Sequence, residues 1–348
     1  MKSCRNLYVH FPFCRSKCSY CALFSRAGTT ESERKKYADI LRREIDALDG
    51  GFATVYFGGG SPALCELKGI LKILSPKLGG DCEFTVELHP KDVAAELLKE
   101  LKDWGVNRIS MGLQSLSDAT LEDMDRGYTF AEAEAAFAAV KSAFDNAGVD
   151  LIVGYPGDDW PEDRFERLLG WGLRHVSVYT LQLEKNSRLC ARKTLAVEDD
   201  DSTMDKLLKI SSRLGQAGFR RYEISNYAEE GFECRHNLAV WRGEDYIGLG
   251  AGAYGREGLV RTQNRGLPPE GFMGKKPEKE TVTRQFDLKE RGLFRLRTAE
   301  GVAHGQFPEW EETLKRFVEL GCAKSDHKGY RLTERGWEIC DSILASLI

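Results

Sequence analysis

Three cysteines, Cys14, Cys18 and Cys21, form a CxxxCxxC run directly after the apolar stretch Leu7 to Phe11. Three thiolates on one short loop can hold three irons of a [4Fe–4S] cube and leave the fourth iron open to a small chelating molecule. A structural zinc site takes four protein ligands, and the second ligand pair of a zinc ribbon is missing here. A disulfide reading leaves one of three thiols over, and nothing else in the chain looks secreted. The other seven cysteines, Cys4, Cys65, Cys82, Cys190, Cys234, Cys322 and Cys340, are widely scattered and read as core or surface thiols.

A second feature is Gly58-Gly59-Gly60-Ser61-Pro62, at the end of another apolar run. Glycines let the backbone turn sharply and bring bare N–H and C=O groups against a ligand. An ordinary tight turn would use the same residues, but the position beside the cysteine loop favours a binding role. An open iron could take the amine and carboxylate of an amino acid, with these backbone groups completing the site. Four polar residues fall at or near later strand ends. Glu87 and Gln114 end the third and fourth predicted strands, Arg126 follows in the next helix, and Asp150 opens the fifth. Each alone reads equally well as a cap or a solvated charge. Together they converge on one rim, where polar groups read as ligand contacts.

Holding these groups together calls for alternating strands and helices. Strand-like runs are Leu7–Phe11, Thr54–Phe57, Glu83–Leu88, Arg108–Met111, Val149–Val153 and Val176–Leu183. Helical patterns lie between them, at about Glu31–Leu48, Leu67–Leu78, Val93–Trp104, Ala131–Ala147 and Pro161–Gly172. Glycine closes several of them, as in Trp104-Gly105 and Ala147-Gly148. Six such units predict an α/β fold with a parallel sheet, a partial (β/α)6 barrel of TIM-like kind whose site lies at the strand C-termini. A further amphipathic stretch covers Met204–Ala217. Glycine, proline and charge crowd around Pro268-Pro269 and Lys275, which reads as a surface connection. Beyond it, the Trp310–Leu320 helix, a hairpin and a last helix to Leu347 predict a small winged-helix-like α+β domain. The expected division is a core over residues 1–230, a connecting segment over 231–280 and the C-terminal domain over 281–348.

The chain has 348 residues with 50 basic and 54 acidic side chains, a net charge of −4. No overall basic field points to nucleic acid. No run approaches the roughly 18 apolar residues of a membrane span. The first residues lack the apolar stretch of a signal peptide. Ten cysteines then suggest a reducing, cytoplasmic setting.

Tyr8-x-His10-x-Pro12-Phe13-Cys14-xxx-Cys18-xx-Cys21, the Gly58-Gly-Gly-Ser-Pro turn and Val106-Asn-Arg-Ile-Ser-Met-Gly-Leu-Gln114-Ser occur in order. In these the chain resembles the radical S-adenosylmethionine (SAM) proteins. It is most similar to the group that holds the oxygen-independent coproporphyrinogen III oxidases and the heme chaperones of the HemW kind. The likeness runs from about Tyr8 through Gly255 and is weaker in the last 60 residues. It implies that Cys14, Cys18 and Cys21 ligate a [4Fe–4S] cluster and that Gly59, Gly60 and Ser61 meet the methionine end of SAM. It also implies that Tyr8 and Tyr20 flank SAM, and that Glu87, Gln114, Arg126 and Asp150 are its polar contacts. In that superfamily the reduced cluster gives one electron to SAM, producing methionine and a 5′-deoxyadenosyl radical.

Within the group, oxidases carry another cysteine two residues past the third cluster ligand, where this chain has Leu23, and a longer N-terminal extension. The segment Cys234-Arg-His236-Asn237-Leu-Ala-Val240-Trp241 resembles an HNxxYW motif associated with heme, with Val240 in place of the tyrosine. Neutral His236 could ligate heme iron beside the flat face of Trp241. A histidine capping a turn beside a core tryptophan is the plainer reading. Leu88 and His89 replace the usual Ala-Asn after Glu87. The expected function is a heme chaperone carrying heme to an unknown acceptor protein, with a flavodoxin or ferredoxin as possible reductant. Oxidative decarboxylation of coproporphyrinogen III is the alternative. Serine at Cys14, Cys18 and Cys21 together should abolish iron and acid-labile sulfide in anaerobically prepared protein. Zinc in the purified chain, or a cluster surviving that triple change, would contradict the reading.

Overall fold

The computed structural model describes residues 5–192, 200–266 and 277–348. The expected connection around Pro268, Pro269 and Lys275 lies outside the described residues. The chain begins with strand β1 (Asn6–Phe11), helix α1 (Glu31–Asp46), β2 (Phe52–Gly59), α2 (Leu67–Leu74) and β3 (Leu78–Leu88). It continues through α3 (Ala95–Asp103), β4 (Arg108–Gln114), α4 (Asp118–Asp123), α5 (Phe130–Ala143), β5 (Asn146–Val153), α6 (Glu162–Leu169) and β6 (His175–Thr180). Strands β1 to β6 lie side by side in chain order, all parallel. One face of the strands packs under the helices, which is why Leu7, Val9, Phe11, Val55, Phe57, Phe84 and Val86 are all fully buried, while the alternate residues Tyr8, Tyr56 and Glu87 face the cavities.

Local chemistry starts and stops the helices. Thr30 and Glu33 form a reciprocal capping box at the head of α1, and Thr129 and Glu132 do the same for α5. Helix α3 ends at Trp104, and Gly105 takes the positive φ of +96° that reverses the chain there.

Helix α7 (Asp200–Gln216) leads to β7 (Arg220–Glu223) and β8 (Asn226–Ala228), then α8 (Arg235–Trp241) and β9 (Ile247–Leu249). The sheet order is β7-β8-β6-β5-β4-β3-β2-β1-β9, so β7 and β9 are its two edges and the barrel stays partial. Strand β9 extends the parallel set beside β1, whereas β8 runs antiparallel to β6. A meander of β10 (Tyr254–Glu257), β11 (Val260–Gln263) and β12 (Glu278–Thr281) follows. Buried Arg256 and half-buried Arg261 bind it to α9 (Arg284–Leu296) through Asp287 and Glu290, at 2.5–3.2 Å. The C-terminal elements are α10 (Glu311–Glu319), the hairpin β13 (Ala323–Asp326) and β14 (Gly329–Leu332), α11 (Glu334–Glu338) and α12 (Cys340–Ala345). They bury a second, separate core around Trp310, Leu314, Tyr330, Leu332 and Ile343.

Several expectations need correcting. Helix α5 stops at Ala143 because β5 already starts at Asn146, so Gly148 is a strand residue and not a helix terminator. A Cβ there would lie 2.4 Å from the His175 carbonyl oxygen, so only glycine allows β5 and β6 to close up. Asp150 consequently sits within β5 and does not open it. Arg126 lies past the end of α4, in the turn that follows. Pro76 ends α2 early, in a short 3₁₀ turn over Ser75–Lys77. Strand β6 ends at Thr180, short of Leu183.

Tyr37 of α1 joins three parts of this frame. Its buried hydroxyl donates to the His10 carbonyl at 2.8 Å and accepts from the Ala251 N–H at 2.9 Å. Tyr37→Phe leaves that buried N–H unpaired and should lower unfolding free energy by about 1–3 kcal/mol in urea titration.

Candidate functional site

The cysteine loop leaves β1 through Pro12 and Phe13, whose ring packs edge-on against Tyr37 at 5.1 Å between centroids. Backbone bonds hold the loop in place. Cys14 N–H donates to Arg26 O at 3.0 Å, Ser19 N–H to Met124 O at 3.2 Å and Cys21 N–H to Cys18 O at 3.3 Å. The thiols of Cys14, Cys18 and Cys21 all line one cavity of about 910 Å³ at the C-terminal ends of the strands. Burial pushes the Cys14 thiol up to about 11, so it loses its proton readily only to a metal or cationic partner. Arg126 supplies part of that positive field, with Nη1 donating to the Cys18 sulfur at 3.3 Å. Among the described residues no three His, Cys, Asp or Glu side chains are arranged around a single metal ion. A cube makes no such demand, because each thiolate binds its own iron.

The glycine turn lies directly against this loop. Parallel register sets His10 opposite Gly58 and Phe11 opposite Gly59. Gly60 N–H donates to Phe11 O at 2.6 Å and Ser61 N–H to Phe13 O at 2.7 Å. A Cβ on Gly60 would stand 2.5 Å from the Phe13 oxygen and 2.9 Å from the Cys14 sulfur. Gly59 has φ +108°, and a Cβ there would enter the His10 ring at 2.5 Å. Bare backbone is therefore required at both positions, and it faces the cysteine cavity. Ser61 donates to buried Asp92, whose other oxygen takes Arg15 Nε at 2.5 Å.

The four polar residues expected on the rim all line the same cavity. Glu87 accepts from the Tyr56 hydroxyl at 2.8 Å and the Gly59 N–H at 3.1 Å. Burial, and then the charge of Asp150, push its carboxyl up to about 7. Asp150 is likewise raised by burial, against the hydrogen bonds of Ser177 and Ser110. Gln114 has φ +74° where the β4–β5 register slips between Gly112 and Gln114. A left-handed backbone at a non-glycine residue is strained, and it persists where the surroundings hold the side chain for a purpose. Arg126 also donates to Gly112 O at 2.7 Å and to the Tyr128 hydroxyl at 3.0 Å. Tyr8 and Tyr20 complete the wall.

A second cavity, of about 840 Å³, adjoins the first and shares Tyr8, Leu23, Tyr56, Glu87, Tyr179 and Ser225 with it. His236, Asn237, Val240 and Trp241 of α8 line it. Helix α8 lacks a capping side chain of its own. Glu83 of β3 accepts instead from the Arg235 and His236 N–H groups, at 2.9 and 3.0 Å, and fastens the helix across the sheet. His236 caps no turn. It lies among Tyr8 and Tyr56, with ring centroids at 6.4 and 5.3 Å, and its Nδ1 is 2.8 Å from Thr54 Oγ1. Burial, and secondarily Arg108, lower this imidazole to about 3, so it is neutral. Trp241 meets Phe294 edge-on at 5.9 Å and hydrogen-bonds Glu223.

Sequence reading missed several groups of this region. His10 accepts from the Tyr8 hydroxyl (2.9 Å) and donates to Phe24 O (2.7 Å), orienting the ring of Tyr8. Asp92, Tyr56, Tyr179 and Glu223 also line the cavities. Only the alternation of His10 with Tyr8 on β1, both on one strand face, carried a signal.

Glu87 makes stability depend on pH. A carboxyl whose folded pKa is raised holds its proton more tightly in the native state, so its contribution is complete below about pH 4.5. That contribution is lost as pH rises through 7. The wild-type advantage over Glu87→Gln should therefore shrink by about 1–3 kcal/mol between pH 5 and pH 8, measured by urea unfolding of the metal-free protein.

The radical SAM superfamily model matches residues 8–169. A Bacillus subtilis (strain 168) protein named heme chaperone HemW is 30% identical over 95% of this chain and 96% of its own length. The Escherichia coli (strain K12) heme chaperone HemW is 32% identical over 77% of this chain and 75% of its own. Among solved structures, the coproporphyrinogen III oxidase HemN of E. coli superposes with a TM-score of 0.83, covering 98% of this chain and 89% of that one. At 20% identity that likeness establishes the fold. Membership of the superfamily implies a [4Fe–4S] cluster and SAM, which the thiols, the bare glycine backbone and the Arg126 field fit. Similarity of this order, maintained from the cysteine loop to the C-terminal helices, means that the chain belongs to the HemW-like family of radical SAM proteins.

Proposed function

We propose that this chain is a heme chaperone that binds heme in the second cavity, with His236 as an iron ligand, and passes it to an acceptor protein. In this reading Cys14, Cys18 and Cys21 hold the cluster, and the N–H and C=O groups around Gly59, Gly60 and Ser61 receive the amino-acid end of SAM. Glu87, Gln114, Arg126 and Asp150 bind the remaining polar edge of SAM, while Tyr8 and Tyr20 exclude water from its flanks. The cluster, once reduced by a donor such as a flavodoxin or ferredoxin, supplies one-electron chemistry at its open iron.

One observation carries the heme reading. A neutral histidine, His236, lines a cavity of about 840 Å³ whose inner wall is also the wall of the cysteine cavity. That volume lies in the range of about 300–1,000 Å³ usual for bound small molecules. Leu23, Phe24, Val240 and Trp241 offer apolar surface for a macrocycle, and a neutral imidazole is the form that ligates iron. Shared walls give occupancy of one cavity a physical route to influence the other, through Tyr8, Tyr56 and Glu87. Val240 supplies no hydroxyl where related motifs have tyrosine, so the heme contact here rests more heavily on His236 and on apolar packing. The names of the relatives and the leucine at position 23 favour this function over porphyrinogen oxidation.

Hemin added to the anaerobically reconstituted protein should give a shifted Soret band, and His236→Ala should weaken binding about tenfold or more. No Soret change, or an unchanged titration in that variant, defeats the heme assignment. Vinyl product at catalytic turnover from coproporphyrinogen III, SAM and reductant would replace it with the oxidase reading.

A further inference from the structure

We propose that Thr54 is a positioning residue for the His236 ligand, its hydroxyl fixing which imidazole nitrogen is free to meet iron. The inference rests on the heme reading above and extends it to residues outside the HNxxYW-like segment.

The argument follows a chain of hydrogen bonds from the backbone to the imidazole. Asn6 and Thr54 face each other across the parallel β1–β2 ladder. Asn6 Nδ2 lies 3.0 Å from the Asp245 carbonyl oxygen and 3.5 Å from a Glu244 carboxylate oxygen. Both are acceptors only, so the amide must turn its NH₂ toward them and its Oδ1 away. Oδ1 then accepts from the Thr54 hydroxyl, at 3.0 Å. A threonine hydroxyl has a single proton, and this one is committed to Asn6. Toward His236 Nδ1, at 2.8 Å, Thr54 Oγ1 can only accept. Nδ1 therefore carries the hydrogen, and in the neutral ring the lone pair is on Nε2. Among the described residues no hydrogen bond engages Nε2, and the residue lines the second cavity.

Asn6, Thr54 and His236 are all buried, so water does not compete for these groups. Such an outer partner does two things for a metal-bound histidine: it selects the tautomer, and it raises the basicity of the ligating nitrogen. The source of orientation is the sheet itself. Strand β9 pairs with β1, Asp245 stands two residues before β9, and β1 pairs with β2. The register of three strands is thereby passed to one ring nitrogen.

The test uses full-length protein titrated with hemin as wild type, Thr54→Val and Thr54→Ser, with resonance Raman of the ferrous heme complexes. Valine keeps the shape and removes the acceptor. It should weaken heme binding about 10- to 100-fold and lower the iron–imidazole stretching frequency, with cluster absorbance and SAM affinity unchanged. Serine should restore both. If wild type and His236→Ala differ but Thr54→Val matches wild type in affinity and frequency, the positioning role is wrong and the heme reading stands. If wild type binds no heme, the heme reading itself falls. Should the valine variant not fold, ¹⁵N-edited NMR of the heme-free wild type decides the matter: a hydrogen on Nδ1 of His236 supports the inference, and one on Nε2 overturns it.

Discussion

The structure depends on one close approach, that of the glycine turn after β2 to the cysteine loop after β1. Two short backbone bonds, from Gly60 to Phe11 and from Ser61 to Phe13, join the turn to the loop where it departs from β1. They form only because no Cβ stands between the two segments. Parallel pairing sends β1 and β2 to the same rim, so the thiols and the bare amides reach one volume. A side chain at Gly60 would separate them by pushing on the Phe13 carbonyl and the Cys14 sulfur together. Everything proposed for the cavity assumes this contact.

Electrostatics in the site are set by what burial disfavours. Glu87 and Asp150 line the same cavity with their carboxyls largely desolvated, so both are raised above the usual carboxylate range, and an acid with its proton retained can donate as well as accept. Arg126 works in the opposite direction. Its guanidinium is tied to Gly112, Tyr128 and Cys18, and it holds fixed positive charge beside the sulfurs. Burial disfavours the charged form of both His10 and His236; His10 spends both nitrogens on Tyr8 and Phe24, and His236 spends one on Thr54. Fixed positive charge from Arg126 therefore sits on the cysteine side of the shared wall, while the second cavity mixes aromatic and aliphatic groups with Asn237, Glu223 and Arg265.

The two cavities also differ in how they are built. The first comes from the ends of β1 to β6 and the loops that follow. The second needs α8, the turn before β9 and the start of the β10–β11 meander, all brought to the sheet by long-range contacts. Glu83 is the clearest case: a carboxylate on β3 caps a helix some 150 residues later, and so delivers His236 to the wall.

Much of this was legible in the chain itself. The CxxxCxxC spacing, the glycine triplet and the strand–helix alternation are local patterns, and local chemistry dictates them. Glu87 and Gln114 were placed at strand ends because apolar runs stop there. Asp150 and Arg126 were misplaced by a few residues: a buried strand tolerates a carboxylate when Ser110 and Ser177 bond to it, and the glycine that marks the turn after α4, Gly127 at φ +70°, follows Arg126 directly but was not used to end the helix. What tertiary structure alone decided is partnership across distance. His236 stood out as part of a motif, but Asn6 and Thr54 are unremarkable polar residues in separate segments, and nothing in the spacing links them to it. Hydrogen bonds and desolvation act over a few ångströms of space, whatever the separation in sequence. Only strand register and helix docking could turn these three residues into an oriented, neutral imidazole at a cavity wall.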